Sequence, residues 1–205
     1  TQEEKRSLAE EGFIYAIGYG LALRGNEIML AHLGGTLEFQ KGAGERAHAG
    51  RMHCTIALKG KIKGDNMNRF HLMPLARISS SGLPFGLWVD RLVSERTKRG
   101  LGDGMMFISD TGARQSATDF ESLFHERLKR VQKLFPALIP LDVMIEDRYR
   151  FNRSFRRGSQ TEASNRGIAD KIINAVCRWS QKEKSIKTGK EIRHKSLGQY
   201  YMEMR

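Results

Sequence analysis

Among the 35 lysines and arginines, two tryptophans and five tyrosines of this chain, all of types that suit a phosphate group, Arg24, Arg153, Arg156, Lys61, Lys63, Trp179 and the pair Tyr200–Tyr201 are the candidates followed below. A guanidinium can grip two phosphate oxygens at once through its planar fork. A lysine can protonate a leaving oxygen as a general acid, and an indole N–H donates one hydrogen bond. A tyrosine hydroxyl can attack phosphorus as a protein nucleophile. Each residue alone has an ordinary reading as well. A single Arg24 is a solvated cation, Trp179 anchors a core, and Tyr200–Tyr201 packs on a C-terminal helix. His194, in a basic stretch, is by composition a solvated loop histidine.

Several other chemistries have no motif here. The chain contains no GxxxxGK[ST] phosphate loop, no HExxH, no CxxC and no GxSxG, and no close group of Asp, Glu and His suggests a two-metal centre. The formal charge is +12 and the sequence pI about 10.0. Residues 148–205 hold 15 Lys/Arg against 5 Asp/Glu, so most of the excess lies in the last 58 residues. A cationic excess gathered at one end suggests a polyanionic partner, nucleic acid first; a generic basic surface is the plainer alternative. No apolar run is long enough to span a bilayer, and the polar start TQEEKRSLAEEG is no signal peptide. The chain begins without Met, which suggests a piece of a longer protein. Cys54 and Cys177 stand far apart with no partner motif, which fits a reducing, intracellular compartment.

The elements that must position these residues are read from periodicity. Residues 2–18 predict a helix with Phe13, Ile14 and Ile17 on one face, interrupted at Gly18 and Gly20. Glu27, Ile28 and Ala31 predict a short second helix that starts near Arg24 and stops at Gly34–Gly35. Met52, Cys54, Ile56 and Leu58 alternate as a half-buried strand, and Phe70, Leu72 and Pro74 suggest another. The turn chemistry of Gly64-Asp65-Asn66 joins them as a hairpin with Lys61 and Lys63 near its tip. A run at Thr36–Phe39 adds a third strand. Helices follow over 85–98 and after Ser116, where Ser116 or Thr118 supplies the cap, and Pro136 and Pro140 end the latter. One more helix runs from about Ser154 to Asn165 with Gly167 as its stop, and another starts near Ala169-Asp170. Residues 181–196 read as a basic, flexible insertion. The whole is a single, mainly helical α+β domain over 1–205 with a small antiparallel sheet.

In this order the segments resemble the catalytic domain of the tyrosine recombinase (phage integrase) family. LALRGNEI resembles its first box, which maps Arg24 to the first catalytic arginine and Glu27 to its supporting acid. KGKIKG resembles the hairpin that delivers the catalytic lysine, here Lys61 with Lys63 as runner-up. RSFRRG resembles the second box, with Arg156 as the second catalytic arginine and Arg153 where the family usually has histidine. From Arg156 to Trp179 is 23 residues, which matches the family's step to its His/Trp position. LGQYYMEMR resembles the segment with the nucleophile, Tyr201, with Tyr200 as runner-up. The step from Trp179 to Tyr201, 22 residues, is longer than usual and is filled by 181–196; His194 within it is a runner-up proton acceptor.

The resemblance implies a site-specific DNA recombinase. Tyr201 would form a 3′-phosphotyrosyl link, with no metal, cofactor or ATP. Partners would be double-stranded DNA and further copies of the chain, as dimers or tetramers, with no membrane. The family's N-terminal DNA-clamping domain lies outside this sequence. The arginine at 153 and the insertion point to a divergent, eukaryotic mobile-element member acting in the nucleus, or otherwise in the cytoplasm or nucleoid. Two rivals remain open. One is a type IB topoisomerase-like nicking and closing enzyme; the other is a non-catalytic DNA-binding domain that keeps the fold.

Overall fold

Helix α1 (Gln2–Gly20) is the element the others pack on, because residues Glu11–Ile14 and Ala16–Gly18 are all buried. The computed structural model describes residues 2–33, 39–41, 52–62, 65–79, 81–101, 104–109, 112–177, 182–184 and 191–193. After α1 come α2 (Gly25–Ile28), β1 (Ala31–His32), β2 (Phe39–Lys41), β3 (Met52–Ile62), β4 (Asp65–Ala76) and α3 (Phe85–Lys98). Then follow α4 (Glu121–Leu134), α5 (Ile145–Arg148), α6 (Phe151–Asn165), α7 (Asp170–Val176), β5 (Lys182–Lys184) and β6 (Glu191–Arg193). This is a mixed α+β arrangement with a small antiparallel sheet. Among the described residues no helix is long and apolar enough to cross a membrane.

Glycines set how closely α1 is approached. A Cβ on Gly12 would lie 2.0 Å from the Trp88 ring of α3, and one on Gly18 would lie 2.9 Å from the Phe155 ring of α6. The helix therefore runs through Gly18, where an interruption was expected, and ends at Gly20, and both glycines admit neighbouring rings. Helix α1 ends in a Schellman pattern, with Leu23 N–H bonded to Gly18 O (2.9 Å) and Ala22 N–H to Tyr19 O (3.3 Å). Ala22 occupies the left-handed position (φ 49°) that glycine usually takes.

In the sheet, β3 is paired on one edge with β4 and on the other with β1 and β2, all antiparallel. Ala31 is thus in a strand, not in the second helix, which closes at Ile28. The register Leu58↔His71, Ile56↔Met73 and Cys54↔Leu75 turns all six inward, and all are buried. Phe70, Leu72 and Pro74, the apolar row expected to mark the half-buried face, consequently stand on the outer face and are exposed. Ile62 pairs with Asp65, so Asp65 and Asn66 belong to β4 instead of the turn. Burial raises the Cys54 thiol to about 11. Neither cysteine is in a disulfide, and both are buried.

Helix α4 begins at Glu121, later than expected, and neither Ser116 nor Thr118 caps it; Ser116 N–H instead donates to Asp119 Oδ2 at 2.6 Å. Phe120 and Phe124 enter the core, where Phe151 meets Phe120, Phe124 and Phe155 with ring centroids 5.5–5.9 Å apart. Helix α6 starts at Phe151, three residues before the expected Ser154, and Gly167 (φ 71°) follows it as expected. Within the 181–196 stretch β5 and β6 pair as a two-stranded antiparallel ribbon.

Arg127 of α4 donates to both oxygens of the buried Glu11 carboxylate, each at 2.8 Å. Tyr15 lies beside this pair, and burial, then the Glu11 charge, raises its phenol to about 12. An unfolded tyrosine loses its proton near pH 10 while folded Tyr15 keeps it, so stability falls as pH rises from about 10 to about 12. Melting temperature followed through that window should drop more steeply in the wild type than in Tyr15→Phe. Equal slopes would remove Tyr15 as the cause.

Candidate phosphate-binding site

The site is built where α2 meets the start of α6. Asn26 N–H at the first turn of α2 donates to Asn152 Oδ1 of α6 at 3.2 Å. A Cβ on Gly25 would lie 2.5 Å from the Phe151 ring and 3.0 Å from Asn152 Cα, so glycine allows the two helices to touch. Glu121 Oε2 of α4 accepts Phe151 N–H at 3.0 Å and satisfies one open donor at the start of α6.

Glu27 joins the two segments. Its Oε2 accepts from Arg156 Nη2 at 2.8 Å and from the backbone N–H of Arg24 at 2.9 Å. The second bond is half of a capping box, with Glu27 at the third position reaching back to the N-cap; the arginine side chain has no acceptor to complete it. Arg156 Nε also donates to Ala22 O at 2.8 Å. The left-handed turn at Ala22 directs that carbonyl, at a backbone cost of about 1–3 kcal/mol. The Arg156 and Glu27 side chains are only 5% and 6% exposed, so the ion pair is a buried one.

Around this pair lie outward-facing cations. Arg24 is half-buried, and Arg153 and Arg157 are exposed on α6. Among the described residues no hydrogen bond or ion pair holds any of these three guanidinium groups. The first turn of α6 contains no acid of its own. Cations at a helix N-terminus oppose the helix dipole, and a bound anion would relieve both.

Lys61 is exposed near the end of β3, beside a β-bulge at Gly60–Ile62. Gly60 (φ 144°) abuts Leu30: a Cβ there would come within 2.7 Å of the Leu30 side chain, two residues past α2. Leu30 O also accepts Lys59 N–H at 2.8 Å. The lysine-bearing end of β3 is therefore fastened to the segment that begins with Arg24. His71, buried, bonds Gly60 O through Nε2 at 2.8 Å and braces the same point from β4; sequence reading passed over it because an alternating strand gives no sign of which histidine turns inward.

Arg24, Glu27 and Arg156 are thus brought together, with Arg153 one helical turn before Arg156 and Lys61 on the adjoining hairpin. Lys63, Trp179, His194, Tyr200 and Tyr201 lie outside the described residues. Helix α7 ends beside the site, since Cys177 and Ile173 pack on Ala22. Among the described residues no three His, Cys, Asp or Glu side chains gather as a metal-binding group. With His71, Glu121 and Ala22 are positioning residues that sequence reasoning missed. A carboxylate reaching 30 residues forward and a backbone carbonyl leave no motif.

No family model matches this sequence, and no curated protein matches it.

Proposed function

We propose that the chain is the catalytic domain of a site-specific DNA recombinase of the tyrosine recombinase type, with an integrase-like fold. The observation that carries this reading is the shared Glu27 carboxylate. One oxygen of Glu27 holds both the Arg24 backbone and, 129 positions downstream of Glu27, Arg156 Nη2, and the resemblance assigns both arginines to one phosphate site. Arg24 and Arg156 grip the non-bridging oxygens of the scissile phosphate and stabilise its transition state. Lys61 protonates the leaving 5′-oxygen, Trp179 donates its indole N–H, and Tyr201 attacks phosphorus. Arg153 stays protonated, so it donates hydrogen bonds to phosphate, and the tyrosine proton passes instead to His194 or to solvent. The enzyme works on duplex DNA, in the nucleus for a eukaryotic source, with two or four copies meeting on the substrate.

The test is covalent capture. Wild type incubated with a suicide DNA substrate should yield a protein–DNA adduct on a denaturing gel, and Tyr201→Phe should yield none. An adduct that survives Tyr201→Phe and vanishes in Tyr200→Phe moves the nucleophile by one residue. Binding without any adduct supports a second reading, a non-catalytic DNA-binding domain. That reading is favoured by Arg156 itself, which is 4% exposed and already engaged with Glu27 and Ala22.

A further inference from the structure

We propose that the outer face of the β3–β4 ribbon is a second DNA contact, which wedges the Phe70 ring, followed by Leu72, between base pairs of a duplex. On β3 this face carries Lys61 and Lys59 toward the hairpin tip, then Ala57 and Thr55, which the register sets across from Leu72 and Pro74. Lys59 and Lys61 project from β3, while Phe70, Leu72 and Pro74 project from β4, and all five are exposed. The register sets Lys59 directly across from Phe70. The Lys59 ammonium lies 5.4 Å from the ring centroid, and His32 meets the same ring edge-on at 5.1 Å between centroids. Phe70 is 45% exposed and Leu72 60%.

Charge decides the occupant. A second copy laid on this face would set lysines against lysines. A nucleic acid offers phosphates to the lysines and base steps to the apolar row. Phe, Leu and Pro are the side-chain types that unstack duplex steps as wedges. A platform for single strands relies on stacked aromatics, and this row has one. On binding, the Lys59 ammonium exchanges the ring face for a phosphate, and the ring enters a base step. The inference rests on the proposed DNA partner but not on strand cleavage, because the wedge needs no nucleophile.

The probe is an alternating TA duplex with 2-aminopurine in place of some adenines, since TA steps unstack easily and every register offers one. Wild type should raise the 2-aminopurine fluorescence. Phe70→Ala should abolish the rise and weaken binding about tenfold, and Phe70→Leu should keep most of both. Lys59→Ala should lower the slope of log affinity against log salt by about 0.9 and leave the fluorescence rise in place. Phe70 is surface-exposed, so Phe70→Ala should retain the wild-type melting temperature. Binding with no fluorescence rise, or a rise that survives Phe70→Ala, overturns the wedge and leaves the recombinase reading standing. No binding to any duplex overturns both. Tighter binding to polyglutamate than to the duplex, or self-association lost in Phe70→Ala, assigns the face to a protein and overturns the proposal.

Discussion

Replacing Glu27 by alanine should lower the unfolding free energy by about 3–5 kcal/mol, the cost of leaving a buried arginine without its counter-charge. The Arg156 side chain is 5% exposed and has no easy route to water, and the same change removes the acceptor of the Arg24 N–H. Whole domains are stable by only about 5–15 kcal/mol, so this variant approaches its threshold. Urea denaturation gives the number. The double variant Glu27→Ala/Arg156→Met should recover much of the loss, because an apolar chain of similar reach needs no partner. If Glu27→Ala costs less than about 1 kcal/mol, surface-pair behaviour, the ion pair is not what holds α2 to α6.

Phe151→Ala should be comparably severe, at about 3–5 kcal/mol. The ring is 1% exposed and touches three other phenylalanine rings, so its removal leaves a cavity that these rings cannot close without moving α4 and α6. Phe151 is also the first residue of α6 and the surface on which Gly25 rests, so the site should loosen with the core. Amide exchange at Asn26, whose N–H bonds Asn152, should accelerate more than exchange in the middle of α1. Leu134→Ala is the control: at 60% exposure it should change stability by no more than about 0.5 kcal/mol. An equal effect from the two variants would contradict the burial assigned to Phe151.

The helices around the site could be read from sequence because their apolar residues repeat at helical spacing. Phe120 and Phe124 are core residues, and α6 ends at the expected glycine. The hairpin carrying Lys61 was legible for a similar reason, since Cys54, Ile56 and Leu58 alternate along β3 and all face the core. In β4 the pattern fails. Both rows hold apolar residues, Phe70, Leu72 and Pro74 on one side and Met73 and Leu75 with His71 on the other. Their orientation is fixed by pairing with β3, a long-range register that alternation within β4 cannot express. Ala31 was assigned to a helix by spacing and taken into the sheet by Leu58. The arginines could be named, but not their state. That Arg156 is buried on Glu27 while Arg153 faces water follows from the rotation of α6 against α2, which is a matter of packing.

The Glu27 carboxylate also places a condition on how the chain is made. Its cation lies 129 residues downstream, and the ribosome adds about 5–20 residues per second, so Arg156 emerges roughly 6–25 s after Glu27. Through that interval the acid has no Arg156 to neutralise it. The apolar surfaces of α1 and β3 are already available to collapse, but burying Glu27 among them would strand a charge. The favoured course is for α2 to stay undocked until α6 has been synthesised. The two halves of the site would then close in one late step, and a chain interrupted before residue 156 would expose its α2 segment to proteases.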